Sequence, residues 1–236
     1  MRFVLASGSP RRRELIGSLG ISFEVIKPDI DETQQPDEGN LAYVTRLCQE
    51  KAAAVMSQLH PPATVLAADT IVVLAADTIG VISAENDLNG VYSLEAASAF
   101  RLNGELLGKP RDAEEARRML QRLRNRPHTV CTAFTLLQAE TALTPAKKIT
   151  SFVCTTVHMR DYSADEIEAY IATGDPFDKA GSYAIQHEGF HPVAQIDGCY
   201  NNVVGLPLCV VKRGLVYFGW SGITATADCD CKTFAD

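Results

Sequence analysis

The stretch "LAADTIVVLAADTIG", residues 66–80, contains the string "LAADTI" twice, with only Val72 and Val73 between the copies. Its first part belongs to an apolar run, "TVLAADTIVVL" at residues 64–74, which predicts a buried strand. Each copy places an acid, Asp69 or Asp77, in apolar surroundings, where a carboxylate is costly to bury unless a nearby group holds it charged. The stretch therefore predicts a core strand that carries a functional acid, and the repeat alone leaves open which acid that is.

Strands and helices alternate on both sides of this stretch. Further strands are expected at residues 3–6, in "ISFEVI", in "TVCTAFTLLQ" and in "ITSFVCTTVHM". Helices are expected after Ser9, over about residues 41–59, from "GKPRD" to about Arg124, after the capping box of Ser163 and Glu166, and near "GLPLCVVKRG". The alternation predicts an α/β fold with a mixed sheet.

Composition narrows the classes of function. The 236 residues carry a formal charge of −7 and are 46% hydrophobic, which fits a packed core and argues against nonspecific binding to nucleic acid or to an anionic membrane. An anionic substrate would need a local basic patch. No apolar run approaches the length of a membrane span. Seven scattered cysteines, an odd number, predict reduced thiols and a cytoplasmic location.

The segment "SGSPRRREL" combines a helix start with three arginines. Ser9 suits the N-cap and Pro10 the first helical position, so Arg11 and Arg12 fall in the first turn. Cations oppose the helix dipole there, whereas free backbone N–H groups and guanidinium groups together favour an anion such as phosphate. The alternative is a solvated basic turn.

Two lysines are further candidates. Lys51 lies on the apolar stripe of the helix at residues 41–59, where it either snorkels to the rim or meets an anion inside. Lys109 lies in the turn "GKP", a weak signal that many exposed turns share.

The acids complete the pattern. Asp69 and Thr70 are expected at the carboxyl end of their strand, where ligand crevices form in open α/β sheets. Glu32, in "PDIDET", offers a second carboxylate, although the segment also reads as an ordinary charged loop. Two carboxylates among phosphate-binding cations predict a divalent metal, Mg²⁺ above all, with an acid that positions or deprotonates water. The sequence contains no P-loop, no convincing zinc set and no G-x-S-x-G elbow.

Taken together, five motifs resemble the Maf family. They are "LASGSPRRREL", "EKAAAV", "AADTIV", "GKPRDAEEA", and "DPFDKAGSYAIQ" followed by "NNVVGLPL". They occur in the family's order and cover about residues 3–211. The segment at about 75–106 is absent from the family pattern, so we interpret residues 1–219 as one two-lobed domain with that insertion, followed by a tail at 220–236.

The resemblance implies a fold and an activity. The fold would be a long mixed β-sheet with flanking helices and two lobes around a cleft, similar to inosine triphosphatases. The activity would be that of a house-cleaning nucleoside triphosphate pyrophosphatase, which uses Mg²⁺ or Mn²⁺ and releases a monophosphate and pyrophosphate. Many members of the family are homodimers.

The resemblance also assigns roles to single residues. Asp69 matches the catalytic acid, whereas Asp77 falls in the insertion; a register slip by one copy would exchange them. The matching polar site residues are Arg12, Glu32, Lys51 and Lys109, together with Ser7 and the segment from Asp178 and Lys179 to Gly181. The specificity positions are Arg11, Thr70 and Gln186, a combination that resembles the branch acting on dTTP, UTP and modified pyrimidine nucleotides rather than on 7-methyl-GTP.

These residues form a mechanistic hypothesis. The four cations Arg11, Arg12, Lys51 and Lys109 would hold the triphosphate and offset charge on the departing pyrophosphate. Asp69 and Glu32 would hold the metal and position water, and Thr70 and Gln186 would read the base. Two rival functions remain, a nucleotide-binding regulator without turnover and a phosphatase that releases orthophosphate.

Overall fold

The strand around Asp69 is present as expected and lies inside the main sheet. The computed structural model describes residues 1–74, 78–79 and 101–224. Within them, β3 (Ala63–Leu74) is hydrogen-bonded to three other strands. The remaining strands are β1 (Arg2–Ala6), β2 (Glu24–Val25), β4 (Thr78–Ile79), β5 (Arg101–Leu102), β6 (Glu105–Leu107), β7 (Pro127–Ala139), β8 (Lys147–Met159) and β9 (Val193–Asp197).

The sheet is mixed, as the sequence predicts. Six of its seven strands follow the order β2-β1-β3-β7-β8-β9, and the seventh, β6, also pairs with β3. The pairs of β1 with β2 and with β3 are parallel, whereas β3, β6, β7, β8 and β9 pair antiparallel. The second strand is shorter than "ISFEVI" predicts, because only Glu24 and Val25 pair with β1.

Helices cover both faces of the sheet. They are α1 (Pro10–Gly17), α2 (Asn40–Met56), α3 (Ala113–Leu123), α4 (Ala164–Ala172), α5 (Tyr200–Val204) and α6 (Leu208–Tyr217). Ser9 caps α1 by accepting a hydrogen bond from the Arg12 N–H, and the Ser163–Glu166 capping box starts α4. Both starts match the sequence expectation, whereas α2 ends at Met56, earlier than predicted.

Strand alternation explains why helices are needed on both faces. Leu5 and Leu66 point to a core shared with α1 and α6, while their neighbours Val4 and Val65 point to a core shared with α2. A further core around Leu120 packs α3 and α4 against the distal parts of the long strands. The α/β class with flanking helices is therefore confirmed.

One expectation about the cysteines is wrong. Cys131 and Cys154 form a disulfide, although the sequence predicts reduced thiols throughout. The register explains the pairing, because the two residues stand directly opposite each other on β7 and β8, with Cα atoms 4.2 Å apart. Cys48 is a buried free thiol.

The proposed insertion at about 75–106 falls largely outside the described residues. Asp77 and the tail beyond residue 224 also lie outside them. At the two edges of the insertion, β4 and β5 pair antiparallel, with Thr78 opposite Leu102. Over the described ranges, none of the helices is both long and apolar enough to cross a bilayer.

Candidate active site

The cleft opens where β1 stops and β3 continues. The parallel pairing of β1 with β3 ends at Ala6 and Ala67, and Asp69 is the second residue beyond this point. Asp69 and Thr70 therefore lie in the middle of β3, so the expectation that they end the strand is wrong. The strand continues because β7 and β6 pair with it as far as Val73 and Leu74. The carboxyl edge that forms the crevice is that of β1.

A cleft of about 380 Å³ collects the candidate residues, a volume typical of small-molecule sites. All eleven residues that the sequence analysis assigned to a site line it: Ser7, Arg11, Arg12, Glu32, Lys51, Asp69, Thr70, Lys109, Asp178, Lys179 and Gln186. The lining contains six Lys or Arg and three Asp or Glu residues, although the chain as a whole is acidic. The cleft is thus the local basic patch that an anionic substrate needs.

Lys51 joins the two candidate carboxylates. Its Nζ lies 3.0 Å from Asp69 Oδ2 and 2.9 Å from Glu32 Oε1, and only 8% of its side chain is exposed. Of the two alternatives for this lysine, the internal anion is correct, because α2 packs the Lys51 stem against the sheet. A buried ammonium held between two acids compensates their negative charge and aims both carboxylates at one point.

One hydrogen bond fixes the Asp69 carboxylate, and another fixes the main chain at Glu32. Asp69 Oδ1 accepts from the Thr70 N–H at 3.0 Å, and the Tyr43 hydroxyl donates to the Glu32 carbonyl at 2.8 Å. Burial, followed by the negative charges of Asp69 and Glu32, raises the pKa of Tyr43. Tyr43 therefore remains a protonated donor that holds the Glu32 loop beside the cleft.

Arg12 is held entirely by neutral acceptors. Its Nε donates to the Gly205 carbonyl at 2.8 Å, its Nη2 to Thr70 Oγ1 at 2.9 Å, and its Nη1 approaches Ser7 Oγ at 3.4 Å. Burial lowers the pKa of Arg12, while the nearby Asp69 charge opposes that shift. Since none of these three partners is charged, the guanidinium retains its charge for an anion in the cleft.

Lys179, which the resemblance places in the substrate site, is held by three oxygen acceptors of its own loop. Its ammonium lies 2.6 Å from the Asp175 carbonyl, 2.8 Å from Asp175 Oδ1 and 2.6 Å from Asp178 Oδ1. Three acceptors match the three protons of an ammonium group. In this arrangement Lys179 organises the loop that carries Asp178 and Gln186 along the cleft wall.

Besides Arg12, three cations of the lining have no carboxylate partner among the residues that the structure describes. They are Arg11, Lys109 and Lys27, and sequence reasoning missed Lys27. The Lys27 stem lies over Gly8, where a Cβ would stand 3.6 Å from its Cδ. Lys27 could have been predicted from the sequence. It comes shortly after β2, at the carboxyl edge of the parallel strands, where ligand crevices form.

Sequence reasoning also missed the buried support under Thr70. Thr132 on β7 and Asn202 on α5 are both fully buried, and Thr132 Oγ1 lies 2.8 Å from Thr70 Oγ1. The sequence carries little sign of them, since a threonine in a strand and an asparagine at a helix start are common.

The donor set fits one kind of metal site. Within residues 1–74, 78–79 and 101–224, no group of three or more His, Cys, Asp or Glu side chains could enclose an ion. Mg²⁺ usually takes one or two carboxylates together with substrate phosphates and water. Asp69 and Glu32, joined by one ammonium, fit an ion that arrives with a phosphorylated substrate rather than a protein-only cage.

Comparison with known proteins agrees with this geometry. The family model described as "Maf-like protein" matches residues 2–217. The chain belongs to the Maf family. The matched range contains all five motifs quoted in the sequence analysis, so family membership explains why they occur in this order.

Several curated relatives named dTTP/UTP pyrophosphatase are similar to this chain over most of their length. The Myxococcus xanthus (strain DK1622) protein is 46% identical over 205 residues, 87% of this chain and 86% of its own. The Geobacter sp. (strain M21) protein is 41% identical, covering 93% and 96%, and the Desulfotalea psychrophila protein is 40% identical, covering 91% and 93%. This Maf chain is thus similar to enzymes with a pyrophosphatase name along nearly its whole length.

Proposed function

We propose that the protein is a nucleoside triphosphate pyrophosphatase that acts on dTTP, UTP and modified pyrimidine triphosphates. The observation that carries the proposal is the Lys51 bridge between Asp69 and Glu32 inside a cation-rich cleft. The names of the similar proteins support the same activity. Removing non-canonical nucleotides is the proposed role.

The cations of the cleft bind the triphosphate in this proposal. Arg11, Arg12, Lys51 and Lys109 hold the phosphates, with Ser7 and the Asp178–Lys179 pair at the walls. Their charges offset the negative charge that develops as pyrophosphate leaves, which lowers the barrier in a partly dehydrated site. Lys51 also supplies a counter-charge for the two acids.

Asp69 and Glu32 are the proposed catalytic acids and the proposed ligands of Mg²⁺ or Mn²⁺. A bound divalent ion would polarise the phosphate oxygens and lower the pKa of a bound water. Asp69, whose Oδ1 is held by the Thr70 N–H, orients water toward the α-phosphorus. Water attacks there, the bond from the α-phosphorus to the bridging oxygen breaks, and pyrophosphate departs with that oxygen.

Base recognition is assigned to Arg11, Thr70 and Gln186. Gln186 is exposed at the cleft rim, where its amide can pair with the donor and acceptor groups of a pyrimidine edge. Because an unpaired polar group is costly in a desolvated site, such pairing discriminates between bases.

The remaining proposals concern the setting. A homodimer in the cytoplasm, without a nucleic-acid or membrane partner, is the proposed working form. Light scattering on the eluting protein should give about twice the 25.6 kDa mass of the chain. A mass of one chain at micromolar concentration would reject the dimer and leave the catalytic proposal intact.

Product analysis tests the proposed activity. The purified protein is incubated with dTTP, UTP, CTP, ATP, GTP and 7-methyl-GTP plus Mg²⁺, and pyrophosphate and orthophosphate are measured separately. Pyrophosphate with monophosphate, fastest from dTTP or UTP, is the expected result. Orthophosphate alone would indicate a terminal phosphatase, pyrophosphate mainly from a purine would reject the base assignment, and thermal stabilisation without product would indicate a binding-only regulator.

A further inference from the structure

A buried chain of polar groups runs from Arg12 into the sheet. Thr70 Oγ1, which accepts from Arg12, lies 2.8 Å from Thr132 Oγ1 on the neighbouring strand β7. Thr132 Oγ1 in turn lies 3.0 Å from the main-chain carbonyl oxygen of Asn202. Thr132 and Asn202 have no exposed surface, so water does not compete for these contacts.

The direction of each hydrogen bond follows from the number of protons. A hydroxyl has one proton to donate, and a carbonyl oxygen can only accept. Thr132 therefore donates its proton to the Asn202 carbonyl. Thr132 must then accept from Thr70, whose own proton points away from the cleft. The chain is therefore directed from Arg12 through Thr70 and Thr132 to Asn202, and Thr70 offers a substrate only an acceptor.

The Asn202 side chain locks the end of this chain in place. Its Oδ1 accepts from the Thr132 N–H at 3.1 Å, and its Nδ2 donates to the Val130 carbonyl and to Thr155 Oγ1, both at 2.9 Å. These bonds tie α5 to β7 and β8. Because the amide oxygen and both amide protons are engaged, a shift of α5 would break several buried hydrogen bonds at once.

The second anchor of Arg12 depends on the same helix. Gly205 follows α5 directly, and its carbonyl accepts from Arg12 Nε at 2.8 Å. The two shortest contacts of the guanidinium, to Gly205 and to Thr70, are thus both fixed relative to Asn202. With Ser7 as the third partner, two of the five guanidinium N–H groups have no acceptor within residues 1–74, 78–79 and 101–224.

We propose that Thr132 and Asn202 are positioning residues that set the orientation of Arg12 toward the substrate phosphates. The inference rests on the proposed function, and neither residue touches the cleft itself. In this role Thr132 and Asn202 hold the two remaining N–H groups of Arg12 in one fixed orientation, which a bidentate contact to phosphate requires.

Thr132→Val is the most informative variant, because valine keeps the shape of threonine and the Asn202 amide keeps its bonds to the strand. The expected result is a fall in kcat/KM of about 10- to 100-fold, the range of about 1.4 to 2.7 kcal/mol that a charged hydrogen bond covers. Thr135→Val is the matched control, since Thr135 is equally buried on β7 but bonds Thr150 and Cys48 outside the cleft. This control should retain wild-type kinetics.

A double-mutant cycle separates positioning from general structural damage. Affinity for α,β-methylene-UTP, which is not hydrolysed at that bond, is measured by calorimetry in wild type, Thr132→Val, Arg12→Lys and the double variant. A lysine side chain cannot bridge Gly205 and Thr70. Thr132→Val should therefore weaken binding about tenfold when Arg12 is present and less than twofold in the Arg12→Lys background.

Each outcome decides the inference. Equal losses in both backgrounds, or unchanged affinity in Thr132→Val, would overturn the positioning role. Should wild type release no pyrophosphate, the proposed function fails on that assay alone, while the affinity cycle still decides whether Thr132 acts through Arg12.

Discussion

At the scale of single residues, the decisive feature is a carboxylate in an apolar strand that is paired with a buried lysine. Asp69 Oδ2 lies 3.0 Å from Lys51 Nζ, and Glu32 Oε1 lies 2.9 Å from the same atom. This contact answers the question that the repeated "LAADTI" string raises, at least for its first copy, because the acid has a partner that compensates its burial.

Replacing Asp69 by Asn should abolish most turnover while preserving the fold. The amide keeps the size of the side chain but cannot act as a base or carry the charge that a metal needs, so kcat should fall about 10²- to 10⁴-fold. Pyrophosphate release and thermal unfolding are measured together. Asp197→Asn, an exposed acid on β9, is the control and should retain activity. Undiminished turnover in the Asp69 variant would remove this residue from the mechanism.

At the scale of elements, sequence reasoning identified β3 but misplaced Asp69 within it. The apolar run 64–74 indicated the strand correctly, because burial on both faces leaves a local hydrophobic signature. The middle position of Asp69 depends on where β1 ends and on how far β7 pairs with β3, which are contacts between segments distant in sequence. For the same reason Thr132 and Asn202 were missed, since their role exists only once α5 is docked.

The loop "DKAG" packs closely against β3 at Gly181. Gly181 has φ +72°, and a Cβ there would lie 3.0 Å from Val72 Cγ1. Its N–H donates to the Gly108 carbonyl at 3.0 Å, so the loop is tied to the segment that carries Lys109. Glycine thus allows the wall with Asp178 and Gln186 to approach the strand of Asp69.

Gly181→Ala should therefore destabilise the protein and disturb the cleft. The left-handed backbone and the close approach to Val72 together predict a loss of about 1–3 kcal/mol in the free energy of unfolding, with a raised KM. Gly17→Ala in α1 is the control, because a Cβ there meets nothing within 4 Å and alanine favours helix. Urea unfolding of both variants checks the prediction, and equal stabilities would refute the packing argument.

At the scale of the whole molecule, charge is distributed unevenly. The chain is acidic overall, yet the cleft collects six cations against three acids, so an anionic substrate is attracted to one place on a surface that otherwise repels it. The sequence predicted the need for such a patch and most of its members. The disulfide of Cys131 and Cys154 was not predicted, because scattered spacing gives no hint of a cross-strand pair.

Global stability should fall as the pH drops below about 6.5. His128 is buried with its Nε2 2.7 Å from the Tyr183 hydroxyl, and burial lowers the pKa of His128 to about 3. Above about pH 6.5 both the folded and unfolded states carry neutral imidazole. Below about pH 6.5 the unfolded chain binds a proton at this imidazole, whereas the folded state does not. The free energy of unfolding therefore falls by up to about 1.4 kcal/mol per pH unit until about pH 3 is approached.

The comparison of His128→Gln with wild type isolates this contribution. Urea unfolding between pH 7 and pH 5 should show a shallower loss of stability in the variant, by about one proton. His60→Gln, at an exposed position, should keep the wild-type slope. A His128 variant with the same slope as wild type would show that this imidazole is not the group that resists protonation.

The most direct test of the central claim is hydrolysis of dTTP in water enriched in oxygen-18. We expect one labelled oxygen in the nucleoside monophosphate and none in the pyrophosphate, because water attacks the α-phosphorus in the cleft that holds Asp69 and Glu32. Asp69→Asn, assayed in parallel, should yield neither product at a comparable rate. Label in the pyrophosphate, or release of orthophosphate in its place, would contradict the account.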